Sequence, residues 1–287
     1  MKLRLIFSVF MMIALFASGS VSAQDISASH NEYLALGDSV AFGYIDQAGY
    51  EYFNPTNFVP YADYLGFSLR LNVADAGCPG ETTSSFLSST GADNGCRFYR
   101  SLVPLHVDYS HTQLAFAEKF LKHHPNTRLV TINLGANDLF LLEQKCNYDP
   151  VCIAQGAQQL FATVSANMQT ILADLRATGY DGVIIIVNYY SLDYSDQSGT
   201  AMTQGLNQAI SASASLYGAR IADVFSAFEA AVSNSFAAGK ACVAGLLNAS
   251  NPAANPPACD VHPSQSGHKL IAKVIAQVYQ FFIIREF

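Results

Sequence analysis

The chain has 287 residues, 51% of them apolar, and a formal net charge of −7 at pH 7. Binding nucleic-acid phosphates or anionic membranes needs clustered Lys and Arg, which an acidic chain without a basic stripe lacks, so no nucleic-acid partner is expected. The length is enough for one large core, and no Pro/Gly/Ser-rich linker or internal repeat divides it.

The first predicted element is a leader. Lys2 and Arg4 precede an apolar run from Leu5 to Ala17, and Val21-Ser22-Ala23 lead into the polar pair Gln24-Asp25. This is the pattern of a secretory signal peptide over 1–23. Its apolar run of 13 residues falls short of the roughly 20 that a membrane-crossing helix needs. No stable membrane span is therefore expected after cleavage. Residues 24–287 are expected to form a single domain, secreted or periplasmic and monomeric, with a charge of −9 because only Lys2 and Arg4 leave with the leader.

Apolar runs bounded by turn residues predict strands at 33–36, 72–76, 129–134, 182–188 and 220–224. Helix-like spacing predicts helices over 61–71, 112–123, 151–177, 201–216 and 264–282. This alternation implies a doubly wound α/β sheet with mainly parallel strands. Ligands of such sheets bind at the carboxyl ends of the strands, and Ser39, Gly80 and Asn137 each follow a predicted strand. Segments 77–110 and 240–263 show neither period and are read as walls of a site. His123-His124 sits where a helix C-terminus favours positive charge, which accounts for the pair without a chemical role.

Gly37-Asp38-Ser39 follows the buried run Tyr33-Leu34-Ala35-Leu36, which places the serine on an exposed turn between strand and helix. A serine hydroxyl attacks only when a base takes its proton, and the late His262 is the candidate base. Four blocks occur in order: Leu36-Gly37-Asp38-Ser39, Gly77-Cys78-Pro79-Gly80-Glu81-Thr82-Thr83, Leu134-Gly135-Ala136-Asn137-Asp138, and Asp260-Val261-His262-Pro263 with Gly267-His268. Together they resemble the SGNH subgroup of the GDSL hydrolases over nearly the whole mature chain. The resemblance implies a flavodoxin-like three-layer α/β/α fold and ester hydrolysis through an acyl-enzyme on Ser39. It assigns the oxyanion hole to the N–H of Ser39, the N–H of Gly80 and the side-chain amide of Asn137, and it makes Asp138 a support for its loop.

The chain departs from the family pattern at one point. The usual spacing is D-x-x-H, whereas Asp260 stands two residues before His262 and position 259 is Cys. Two groups are candidates to orient the imidazole: the Asp260 carboxylate and the backbone carbonyl of Cys259. His268 is the weaker candidate for the base, because the following helix carries it away from Ser39. The G-x-S-x-G elbow of the α/β-hydrolases is absent from the mature chain.

Six cysteines in an exported chain suggest three bridges, for which 15 pairings exist. Nearest-neighbour pairing is expected: Cys78 with Cys96, Cys146 with Cys152, and Cys242 with Cys259. No C-x-x-C pair and no histidine spacing of a zinc site occurs, so neither a metal nor a cofactor is implied. The expected substrate is a short or medium acyl ester. Action on long-chain lipids or phospholipids and removal of acetyl groups from a polysaccharide are the alternatives within the enzyme class. A non-catalytic secreted binding module of the same fold is the alternative of another class.

Overall fold

The computed structural model describes residues 31–286 apart from 47, 252 and 255–257, with the backbone alone over 282–286. The predicted leader lies outside the described residues. Five strands, β1 (Glu32–Gly37), β2 (Asn72–Asp75), β3 (Thr127–Asn133), β4 (Val183–Val187) and β5 (Arg220–Ala222), form a parallel sheet in the order β2-β1-β3-β4-β5. All five residues of β4 and the last five of β1 are buried. Continuous burial, rather than alternation, is what a sheet covered on both faces produces.

In chain order the helices are α1 (Ser39–Phe42), α2 (Tyr61–Leu69), α3 (Thr83–Leu87), α4 (Cys96–Leu102), α5 (Gln113–His123), α6 (Ala136–Lys145), α7 (Pro150–Ala177), α8 (Gln197–Ser211), α9 (Val224–Val232) and α10 (Gln265–Glu286). Helices α2, α9 and α10 pack together on one side of the sheet, while α3, α5, α7 and α8 pack on the other. The long α7 starts on Asp149, whose side chain accepts from the Cys152 N–H, with Pro150 at its first position; both are good helix starters. It then buries Val164, Met168, Ile171, Leu172 and Leu175 along one stripe. Among the described residues no helix is long and apolar enough to cross a membrane.

The chain leaves β1 for β2 on one side and returns past β1 to β3 on the other. The strands β1 and β3 themselves stay paired through Gly37 and Asn133; it is the connections leaving them that part, to opposite faces of the sheet, and this opens the crevice where doubly wound sheets bind ligands. Segment 240–263, expected to be irregular, instead contains an antiparallel pair, β6 (Leu247–Asn251) and β7 (Ala258–Pro263), held by the Cys242–Cys259 bridge. The pairs Cys78–Cys96 and Cys146–Cys152 are likewise joined. A second, small core of Phe42, Phe58, Cys78, Cys96 and Leu105 lies beneath segment 77–110.

Candidate active site

Ser39 owes its position to the close approach of β1 and β3. Gly37 has φ +140°, and a Cβ there would lie 2.0 Å from the Asn133 carbonyl oxygen; no other residue fits this conformation and this space together. The Gln113 side chain brackets Gly37, accepting its N–H at 2.6 Å and donating to its carbonyl at 2.9 Å. Asp38 then caps the short α1 by accepting from the Val40 N–H at 2.9 Å, which leaves Ser39 at the first helical position facing the crevice.

Strand β7 brings His262 across 223 residues of sequence so that Nε2 lies 3.0 Å from Ser39 Oγ. The strand is fixed by Tyr190, whose hydroxyl donates to the Val261 carbonyl at 2.7 Å, and the ring is flanked by Tyr44, edge to face at 4.9 Å. Asp260 Oδ1 accepts the His262 N–H at 2.7 Å and stands 3.6 Å from His262 Nδ1, while its Oδ2 accepts the Asp46 N–H at 2.9 Å. Nδ1 itself has no hydrogen-bond partner. Of the two candidate orienters, then, it is the carboxylate that lies beside this nitrogen, at ion-pair range.

Gly80 and Asn137 come to the same place from β2 and β3. Gly80 has φ +87° and a Cβ there would meet the Asn94 carbonyl oxygen at 2.4 Å, so this turn also requires glycine. Asn137, in the first turn of α6, directs its amide nitrogen to the Glu81 carbonyl at 3.0 Å and to Asp38 Oδ2 at 3.4 Å, and accepts from Asn94 Nδ2 at 2.8 Å. Asp138 ties the two loops together by accepting from the Thr83 N–H at 2.9 Å and the Thr83 hydroxyl at 2.6 Å.

Ser39 and His262, two strand-end loops and the hairpin of β7 thus converge on one crevice. Residues 35–270 match the model of the GDSL-like Lipase/Acylhydrolase family. The chain belongs to this family. Its membership makes it an ester hydrolase. The fold of this GDSL-like hydrolase is also that of solved structures. Phospholipase A1 from Streptomyces albidoflavus superposes with a TM-score of 0.55 at 17% identity, covering 86% of this chain and 99% of its own. An α/β hydrolase from the metagenome of Lake Arreo gives 0.53 at 15% identity, over 87% and 95%. The acetylxylan esterase Axe2 of Geobacillus stearothermophilus gives 0.51 at 15% identity, over 87% and 94%. No curated protein matches the chain.

The electrostatics of the hydrolase's site are set by burial. Desolvation pushes Asp38 up to about 6, against the hydrogen bond from the Tyr189 hydroxyl at 2.5 Å, and pushes Glu81 up to about 7, against hydrogen bonds from Ser85 and Gln113. For Asp260 burial acts in the same sense, but the His262 ring and the N–H groups of Asp46 and His262 outweigh it and hold the carboxyl below its usual value. His268 is buried against Tyr61 on α10 and, through burial, is driven down to about 3; it stays neutral and makes no contact with Ser39. Among the described residues one grouping carries metal-ligand side-chain types, Cys78, Cys96 and Glu81, and both its sulfurs are joined in a disulfide.

Four residues of the site escape sequence reasoning. Gln113, Tyr189 and Tyr190 lie in helices and strand exits with no motif around them, and Tyr44 falls within an aromatic-rich loop. Tyr44, Tyr189 and Tyr190 carry only the signal of a tyrosine close after an apolar run, which is too common to single out, and Gln113, which follows Ser110-His111-Thr112, carries none. Of the sequence-derived residues, Ser39, Gly80, Asn137, Asp260 and His262 are brought together, and His268 is not.

Proposed function

We propose that this hydrolase cleaves carboxylic esters outside the cytoplasm through a covalent acyl-enzyme on Ser39. The observation that carries this reading is the 3.0 Å approach of His262 Nε2 to Ser39 Oγ at the carboxyl ends of β1 and β3. Ser39 Oγ attacks the ester carbonyl as His262 Nε2 takes its proton. The resulting oxyanion is held by the N–H groups of Ser39 and Gly80 and by the Asn137 amide. The tetrahedral species collapses by breaking the bond to the leaving alcohol, which receives its proton from His262. Water then repeats the sequence on the acyl-enzyme, giving up a proton to His262 and releasing the acid with Ser39 restored.

Asn137 has two amide hydrogens, and its bond to Asp38 is the long one at 3.4 Å. That hydrogen is the one free to turn to the oxyanion, while the Glu81 carbonyl keeps the amide in place. Asp260 orients the ring and stabilises the imidazolium. Its 3.6 Å separation from Nδ1 shortens once the ring is charged, as catalytic hydrogen bonds often tighten in the substrate complex. Export is supported by the leader pattern over 1–23 and by three bridges, which persist in oxidising compartments.

Hydrolysis of p-nitrophenyl butyrate by residues 24–287 is the test. Turnover is expected in the native chain and a loss of at least a thousandfold in both Ser39→Ala and His262→Ala, in line with removal of a member of a serine–histidine unit. Retained turnover in either variant contradicts the assignment.

A further inference from the structure

The crevice divides at Ser39 and His262 into two arms of unequal size, of which the smaller alone carries acidic side chains. One, of about 680 Å³, runs along Gly80 and Asn137 and is walled by Tyr44, Tyr52, Phe53, Phe98, Tyr99 and Leu102. The other, of about 240 Å³, runs past Ser191, Asp193, Asp196 and Thr203. None of the described residues lining the larger arm is Asp, Glu, Lys or Arg.

Resting on the ester-hydrolase reading above, we infer that the larger arm receives the acyl group, and that the preferred acyl chain is long, of about eight carbons or more, rather than acetyl. Three observations support this. The arm is of a size that takes a drug-sized apolar ligand, of which an acetyl group fills a small part. It borders Gly80 and Asn137, two of the three proposed oxyanion donors, whereas the smaller arm shares only the third, Ser39; an acyl chain shares its carbonyl with those donors and so continues along them. The smaller arm carries Ser191, Asp193, Asp196 and Thr203 beside apolar residues such as Leu139 and Met202, and so offers the departing alcohol polar partners that the larger arm lacks.

Aromatic walls also stack on sugars, so the polar groups decide between a lipid and a saccharide. A polyhydroxylated ring needs several free donors and acceptors, and in the larger arm most of the side-chain ones are already engaged. The Tyr44 and Tyr52 hydroxyls pair at 3.1 Å, and Tyr52 also donates to the Ile45 carbonyl. Asn94 spends its amide on Asn137 and accepts from Gln144. Of the tyrosine hydroxyls there, Tyr99 alone has no partner, and one hydroxyl does not serve a sugar. At the mouth Phe53, Phe98 and Leu102 are 66%, 70% and 60% exposed, so a chain longer than the arm meets apolar side chains there.

The test is kcat/KM for p-nitrophenyl esters from acetate to dodecanoate, on residues 24–287 and on Phe98→Asp and Leu102→Asp. Both side chains are exposed, so both variants are expected to fold, and their Tm values check this. The expected result is a rise with acyl length of up to about fourfold per buried methylene, continuing past hexanoate. The decanoate-to-acetate ratio should fall about tenfold or more in each variant. A maximum at acetate, a ratio unmoved by both substitutions, or faster deacetylation of acetylated xylan than turnover of any long-chain ester overturns the inference while leaving the esterase intact. Absence of turnover at every length in folded protein overturns the esterase reading and the inference together.

Discussion

Asn137 illustrates how the chemistry is distributed over single residues. Its amide is held by Glu81 and Asn94, so in the proposed mechanism only the hydrogen on the long Asp38 contact has to turn when negative charge develops on the substrate. Removing one oxyanion donor typically costs about 3 kcal/mol of transition-state stabilisation. Asn137→Ala is therefore expected to lower kcat at least about a hundredfold with KM changed far less; a pure KM effect in steady-state kinetics would contradict the role. In the proposed mechanism Asp260 acts through His262 and not on the substrate, so Asp260→Ala should lose less activity than Ser39→Ala, and equal losses in folded protein would give the carboxylate a larger part than orientation. At this scale much was legible beforehand. Ser39, Gly80, Asn137 and His262, which the structure brings together, stand in short contiguous motifs, two of which contain a glycine that the backbone requires, Gly37 and Gly80. Gln113 was not legible, since its bracket on Gly37 spans 76 residues and a glutamine that clamps a backbone is indistinguishable in sequence from one that faces water.

Elements show the same division. All five sheet strands were predicted within a few residues of their ends, because buried parallel strands are continuous apolar runs with turn residues on either side. Helix α6 was missed because it begins inside the Gly135-Ala136-Asn137-Asp138 motif with no intervening linker, and α9 because it starts directly at the end of β5 on Asp223. The β6–β7 pair was missed because its register shifts twice along a short ladder, so no alternation of apolar and polar residues survives in the sequence. Bridges compensate for such weak local order. Cys78–Cys96 closes an 18-residue separation across the loop that carries Gly80, and a loop of this size corresponds to about 3 kcal/mol in the chain-entropy model. The double variant Cys78→Ser/Cys96→Ser is expected to melt roughly 6–12 °C lower, at about 2–4 °C per kcal/mol for a domain of this size. Its kcat should fall as well, because Gly80 loses its anchor. Unchanged calorimetric Tm would show that packing of the small Phe42 core alone holds the segment.

For the molecule as a whole, burial of ionisable groups makes stability depend on pH. Asp75 and Glu81 are raised to about 7, and Asp38 to about 6, in each case by desolvation. A carboxyl whose folded value exceeds its unfolded one binds more protons when folded, so its contribution is full below about pH 4 and is lost as pH rises through 6 to 7. His268, lowered to about 3, acts in the opposite sense: its contribution is present above the unfolded value near 6.5 and is lost as pH falls towards 3. Glu81→Gln keeps the shape and removes the titration. Its Tm relative to the native chain should therefore rise by a few degrees between pH 5 and pH 8, and a constant difference across that range would contradict the raised carboxyl.

In the proposed mechanism Ser39 carries the acyl group between two half-reactions. That covalent step is tested most directly by mixing residues 24–287 with a p-nitrophenyl ester, quenching with acid within the first turnovers, and locating the added acyl mass by peptide mass spectrometry. The account predicts the adduct on the peptide bearing Ser39 and none in Ser39→Ala. An acyl mass on another residue, or full turnover by Ser39→Ala, would contradict it.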